Sequence, residues 1–386
     1  TNMNEVEKAL PKIHAPGLNI MYGDEVGNVA WWATAKLHMI PDSIHTKFVQ
    51  TNASVYPAKK TYIDFSENPH AINPPWNYVY SANNQPDSIN AKFYPGYYLP
   101  ENRAKRVVEL LEPKNDWDKE AVQEMITDVS SAVNPSILTD LTNSLNIKTL
   151  SDEDIALLDL LKAWKGDYRL TTITGTVFHR WVYLVLKNAF SDEMGLDTFE
   201  AFMVTHMSKR TIAPLIDNPN SIWWDDTNTE DIEENRSDIV QKSFNQAIES
   251  LQKDFGPDYE TWTWDKVHTL EHEHPIGKVA ALRSFFNVGP FPVHGSREVI
   301  NNLAFAYNAQ GFYKVSSGPS TRRVIDFSDI ENSMSILPTG QSGNPFSEHF
   351  KDQAEMYVNG EFRKMMMNKE AIQQSESVLI LNPSKE

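Results

Sequence analysis

Ser335-Ile-Leu-Pro-Thr-Gly-Gln-Ser-Gly-Asn-Pro-Phe-Ser-Glu-His-Phe-Lys-Asp-Gln-Ala-Glu-Met-Tyr357, continued by Asn359-Gly-Glu-Phe-Arg363, is the stretch on which the reading of this chain turns. So specific a string is hard to explain by packing alone. Around Gln341 and Ser342, the glycines at 340 and 343 predict a turn that a pocket wall needs sterically, because Gly reaches backbone angles closed to other residues. Ser342 is not read as a nucleophile, since Gly-Gln-Ser-Gly lacks the Gly-x-Ser-x-Gly elbow spacing.

Working outward, strands are expected at Phe312-Tyr-Lys-Val315 and Arg323-Val-Ile-Asp-Phe327. Residues 101–275 carry helical signals instead. Helices are predicted from Asn102 to Leu111, after the capping-box-like Ser151-Asp-Glu-Asp154, over 175–190 and over 231–254. The last places Ile239, Phe244, Ile248 and Leu251 on one apolar face. Residues 1–100 read as strands and turns after a short opening helix, with a hairpin of Leu18–Tyr22 and Val29–Trp32 about the turn Gly23–Asn28. The loop from about 40 to 75 is long and Pro-rich, as functional or pinned loops are. A β-rich start, helical middle (101–275) and β-rich end (276–386) predict one α+β unit over 1–386 whose outer parts share a sheet.

The 386 residues are enough for a substantial core and a deep pocket. Lys plus Arg number 35 against 52 for Asp plus Glu, a net charge of -17, which argues against a nucleic-acid partner or a membrane surface held by a basic face. No cysteine is present, so a disulfide framework, a thiolate metal site and a cysteine nucleophile are all excluded. No apolar run reaches the roughly 18 residues that span a bilayer. The start at Thr1 is neither basic nor apolar enough for a signal peptide, so a soluble chain is expected, with any export signal upstream.

The closing stretch resembles the end of the larger, nucleophile-bearing subunit of the penicillin acylase family of N-terminal-nucleophile hydrolases. The resemblance implies an α+β fold, part of an αββα sandwich with a large helical excursion, and hydrolysis of an acyl amide of the penicillin or N-acyl-homoserine-lactone type. Trp76-Asn-Tyr-Val-Tyr-Ser-Ala-Asn-Asn-Gln-Pro86 is similar to the family's strand ending in Asn-Asn, which implies that Asn83 sends its side-chain amide into the oxyanion hole. Such a fixed neutral donor opposes the charge that builds on the carbonyl oxygen. A plain turn is the alternative, since Asn tolerates left-handed angles. Pro100-Glu-Asn-Arg-Ala-Lys-Arg-Val-Val-Glu-Leu-Leu111 is similar to a helix whose Arg approaches the active site. By register that residue is Arg103 rather than Arg106, and it would orient Asn83, the nucleophile's amine or the substrate. Val315–Phe327 resembles a turn and strand in which Arg322 and a buried Asp326 support the site without reacting.

The resemblance also implies an N-terminal Ser whose own α-amine, of pKa about 7.7–8.0, serves as base. The run from Asn4 to Ile20 resembles the interior of the large subunit, beyond that Ser. The chain is therefore expected to lack the nucleophile, to be inactive alone, and to need small-subunit and N-terminal large-subunit segments as partners. Thr1 is a possible N-terminal nucleophile in principle, but an acidic helical sequence follows it. Calcium binds many family members through carboxylates from both subunits, yet Asn90–Pro100, where an Asp ligand is expected, has no carboxylate and Tyr98 falls near that position. No cofactor is therefore expected. His268, His272 and His274, within seven residues, invite a metal-dependent hydrolase as an alternative, although Glu271 and Glu273 interrupt a regular ligand face. A non-catalytic binding or assembly protein on the same scaffold is the other alternative. From the resemblance alone, the enzyme is expected in the periplasm or outside the cell.

Overall fold

Asp24 makes the first hairpin: its carboxylate accepts from the Val26 and Asn28 N–H groups, the Asn28 amide and the Tyr22 hydroxyl, at 2.8 to 3.2 Å. The computed structural model describes residues 2–41, 44, 46, 48–49, 61–86, 94–375, 378 and 380–383. It divides into two units, Thr1–Asp116 and Trp117–Glu386, taken in turn below.

In the first unit, Asn2 caps α1 (Met3–Ala9) by accepting from the Glu5 N–H at 3.1 Å. The foreseen hairpin is β1 (Leu18–Gly23) against antiparallel β2 (Val29–Thr34). Residues alternate across β2, so Ala30, Trp32 and Thr34 are buried. Trp32 and Ala30 pack with Leu10, Val6, Ile20 and Ile72 into a small core. A third strand, β3 (His70–Ile72), pairs with β2, so the long loop expected from 40 to 75 ends in the sheet. The helix foreseen at 102–111 is α2 (Asn102–Leu111).

The second unit is built around a buried helix pair. It begins with α3 (Lys119–Ile126), α4 (Asn134–Asn143) and α5 (Asp152–Ala163). Ser151 and Asp154 form the capping box read in the sequence. α6 (Thr174–Met194) is buried on nearly all sides and ends at Gly195, whose φ of 75° a side chain would disfavour. After α7 (Leu196–Met203) and α8 (Ser208–Asp217), α9 (Arg236–Phe255) lays Ile239, Phe244, Ile248 and Leu251 into the core as expected. It starts later than the predicted 231, because Asn235 and Asp238 make a capping box there and Glu234 is drawn into a turn with Thr229.

The return to sheet is modest. β4 (Thr269–His272) pairs with β5 (Val288–Pro292) across α10 (Arg283–Phe286). β6 (Arg322–Val324), β7 (Met334–Ile336) and β8 (Arg363–Lys364) form a three-stranded antiparallel sheet; Tyr357 of α11 (Ala354–Val358) packs with Ile336 of β7, and α12 (Lys369–Gln373) follows β8 in the chain. The large shared sheet expected from the sequence is, among the described residues, three small antiparallel sheets. Phe312–Val315 is not a ladder strand, although Tyr313 and Val315 donate to the Val267 and Thr269 carbonyls. None of the described helices is long and apolar enough to cross a membrane.

The decisive closing stretch turns out to be a latch. Arg322 lies 4.0 Å from the centre of the Tyr357 ring and donates to the Tyr357 carbonyl at 2.7 Å and to Asn301 Oδ1 at 2.8 Å. Tyr357 in turn donates to the Pro319 carbonyl. Gly340 is required for closeness rather than for unusual angles: a Cβ there would stand 1.9 Å from the His349 oxygen. At Gly343 nothing lies within 4 Å, so the steric reading fails at that position.

Candidate active site

Asn83 adopts the left-handed conformation, φ 62°, which Asn visits more readily than most residues. The backbone is held there from outside, since its carbonyl accepts from the Leu99 N–H at 2.8 Å. The turn reading of Asn83 thus holds for its backbone, and its side-chain amide stays available for a contact of its own.

Arg103, in the first turn of α2, reaches back to it. One terminal nitrogen, Nη2, donates to the Ala82 carbonyl and to Asn83 Oδ1, both at 2.7 Å. A guanidinium has only donors, so the amide atom facing it must be the oxygen. The Asn83 NH2 group therefore points away from Arg103. Asn83 is exposed on this chain, and its donor is directed outward by a charge-assisted bond of the stronger class. Arg106 pairs with Glu109 at 3.3 Å, one helical turn on.

A cleft of about 730 Å³ lies in the same unit, lined by Trp76, Tyr78, Tyr80, Val108, Leu111 and Glu112 among others. Burial, with Glu112 nearby, pushes the Tyr78 hydroxyl up from its ordinary value. Leu111 is eight residues beyond Arg103, about 12 Å along the helix, so the cleft flanks the amide pair without containing it.

The other flagged residues separate into structural roles. Arg322 is buried as the resemblance implies, whereas Asp326 is only half-buried, and its carboxylate accepts from the Ser328 N–H and hydroxyl and caps a turn. Ser342 Oγ accepts from the Asn344 N–H at 3.1 Å, while the nearby His349 turns Nδ1 to Asp352 at 3.2 Å. His268 is fully buried and holds the Tyr313 carbonyl through Nδ1 at 2.7 Å. His274 accepts the Ile276 N–H through Nδ1. Glu271 is occupied by Arg283, Lys314 and Asn287 at 2.6 to 3.1 Å. Among the described residues no three His, Asp or Glu side chains are placed to hold a metal.

The Tyr98 hydroxyl donates to the Tyr94 carbonyl at 3.1 Å, and residues 94–100 offer no carboxylate. Thr1 and the start of that stretch, 90–93, lie outside the described residues, as does most of the Pro-rich loop between 42 and 60. What the sequence reading missed is the setting of Asn83: the Ala82 carbonyl that shares Arg103, and Leu99, Tyr98, Tyr94 and Gln85 behind it. No periodicity marks them, because they lie in irregular chain.

The family model described as Penicillin amidase matches residues 1–374. An acyl-homoserine lactone acylase QuiP of Pseudomonas aeruginosa is 24% identical over 294 residues, 69% of this chain and 34% of its own length. A protein of the same description from Pseudomonas putida is 23% identical over 327 residues, 80% of this chain and 39% of its own. The chain thus spans about a third of the length of these curated relatives. A thermostable penicillin G acylase from Alcaligenes faecalis, solved in orthorhombic form, shares the fold with a TM-score of 0.64 at 18% identity, over 100% of this chain and 71% of that one. The α+β architecture expected from the closing stretch is accordingly that of the N-terminal-nucleophile hydrolases.

Proposed function

We propose, given that this chain belongs to the penicillin amidase family, that it supplies the oxyanion side of an acyl-amide hydrolase. The observation that carries this is the Arg103 bridge to Ala82 and Asn83, which turns the Asn83 NH2 outward as a fixed donor. An N-terminal Ser on polypeptide other than this chain would attack the acyl carbonyl, its α-amine taking the hydroxyl proton. The Asn83 NH2 would hold the oxyanion, and collapse would expel the amine, which carries that proton away. Water would then free the acid from the acyl-enzyme. The substrate class is a small acyl amide, of the kind named for the relatives: an N-acyl-homoserine lactone or a penicillin. On this reading the chain alone is inactive, no metal takes part, and the enzyme works in the periplasm or outside the cell.

The test is Asn83→Ala in the complete processed enzyme. Turnover should fall about 100- to 1000-fold with the fold retained, as when one oxyanion donor is removed elsewhere. Near-normal turnover in a folded variant refutes the role.

A further inference from the structure

Asn83 sits in a closed circuit of chain and hydrogen bonds. From Asn83 the backbone runs to Gln85, whose Nε2 donates to the Tyr94 carbonyl at 3.2 Å. The Tyr98 hydroxyl donates to that same carbonyl at 3.1 Å. One residue on, the Leu99 N–H returns to the Asn83 carbonyl at 2.8 Å and closes the circuit. The His38 N–H donates to the Tyr94 hydroxyl at 3.0 Å, which anchors the far side. Gly96 is part of the design, since a Cβ there would stand 2.9 Å from the Tyr98 ring.

We infer that Tyr98 is a positioning residue for the oxyanion donor, acting with Gln85 through the Tyr94 carbonyl and the Leu99 N–H on the backbone of Asn83. This rests on the reading of Asn83 as that donor. A left-handed residue persists only where its surroundings over-determine it. Arg103 fixes where the amide points, and the circuit fixes where the residue sits. Loosening the circuit would leave substrate binding largely intact while blurring the donor's position, which matters only once charge develops on the carbonyl oxygen.

The experiment is a double-mutant cycle in the complete processed enzyme with Tyr98→Phe, which keeps the ring and removes the hydroxyl, and Asn83→Ala. Tyr98→Phe is expected to lower kcat about 3- to 10-fold, the worth of one hydrogen bond. KM should stay within about 2-fold, and on the Asn83→Ala background the further loss in kcat should be under about 2-fold, because the two act as one unit. Faster deuterium uptake in the peptide spanning residues 94–103 should accompany the kcat loss. Gln85→Leu, which removes the other arm and leaves the ring in place, should behave alike and stands in if Tyr98→Phe does not fold. Unchanged kcat in a folded variant, or an equal loss with and without Asn83, overturns the proposal. Should Asn83→Ala itself keep normal turnover, the donor reading has failed and the proposal goes with it.

Discussion

Asn83→Asp is the substitution that best separates a catalytic amide from a turn residue. Asp tolerates left-handed angles as Asn does, whereas Ala adds about 1 kcal/mol of backbone strain there. The Oδ1 that Arg103 holds at 2.7 Å is retained and gains charge, so the fold should keep its stability or gain up to about 1 kcal/mol, the range for an exposed ion pair. The outward NH2, however, becomes a carboxylate oxygen. Loss of the donor alone accounts for a factor of about 100 to 1000. A negative charge facing a developing oxyanion costs further, a few kcal/mol at an effective dielectric near 20. Turnover should therefore fall by at least about 1000-fold, more than in Asn83→Ala, while the thermal midpoint holds or rises. The assay is amine released per active site from an N-acyl-homoserine lactone or a penicillin, alongside thermal unfolding of the same sample. Turnover within about tenfold of the parent would show that the amide is not the donor. A clear fall in stability would show that Arg103 does not hold Asn83 as described.

Burial pushes the His268 imidazole down to about 4 and lowers His179 well below its ordinary value, with Arg297 and His268 adding to the latter. Both depressed values favour the neutral ring in the fold, so stability is full above pH 6.5 and falls as pH drops toward 4, by roughly 3 kcal/mol for His268 alone. Denaturation midpoints at pH 7, 5.5 and 4.5 should decline, and less steeply in His268→Gln; a flat profile in the parent contradicts the burial. Gly340→Ala should cost about 2–3 kcal/mol in chemical denaturation because its Cβ meets the His349 oxygen. Gly343→Ala should stay within about 0.5 kcal/mol; equal costs would refute the steric assignment.

The elements most legible in the sequence are those whose cause is local. Ser151 and Asp154 declare a helix start because they satisfy each other's orphan groups. The spacing of Ile239, Phe244, Ile248 and Leu251 declares a buried face because helix geometry repeats. His70–Ile72 carries too few residues for a strand pattern and becomes one only by pairing with β2. Asp326 is expected from the resemblance to be buried, yet in the fold it is half-buried and its carboxylate is taken by the Ser328 N–H and hydroxyl two residues on.

At the candidate site the division is sharper. Helix periodicity places Arg103 in a first turn but says nothing of what its guanidinium meets twenty residues upstream. Only the resemblance of the Asn83-Asn84 run and the α2 run to one family named both residues, and the bridge between them is a property of the folded chain. The hydrogen bonds that seat Asn83 join residues 9 and 16 apart in irregular chain, Gln85 to Tyr94 and Asn83 to Leu99. Neither a period of 3.6 nor one of 2 can encode such a pairing. Tyr98, which the sequence marks only by its place near an expected calcium ligand, therefore shows its structural part only when its hydroxyl is traced to the carbonyl it shares with Gln85. The same logic applies to the stretch that decides the family reading, 335–363, whose traced contacts are those of a latch. Within it Tyr357 meets the Pro319 carbonyl and the guanidinium of Arg322, and Gly340 lies against the His349 carbonyl too closely for a Cβ, so packing at close quarters accounts for these positions.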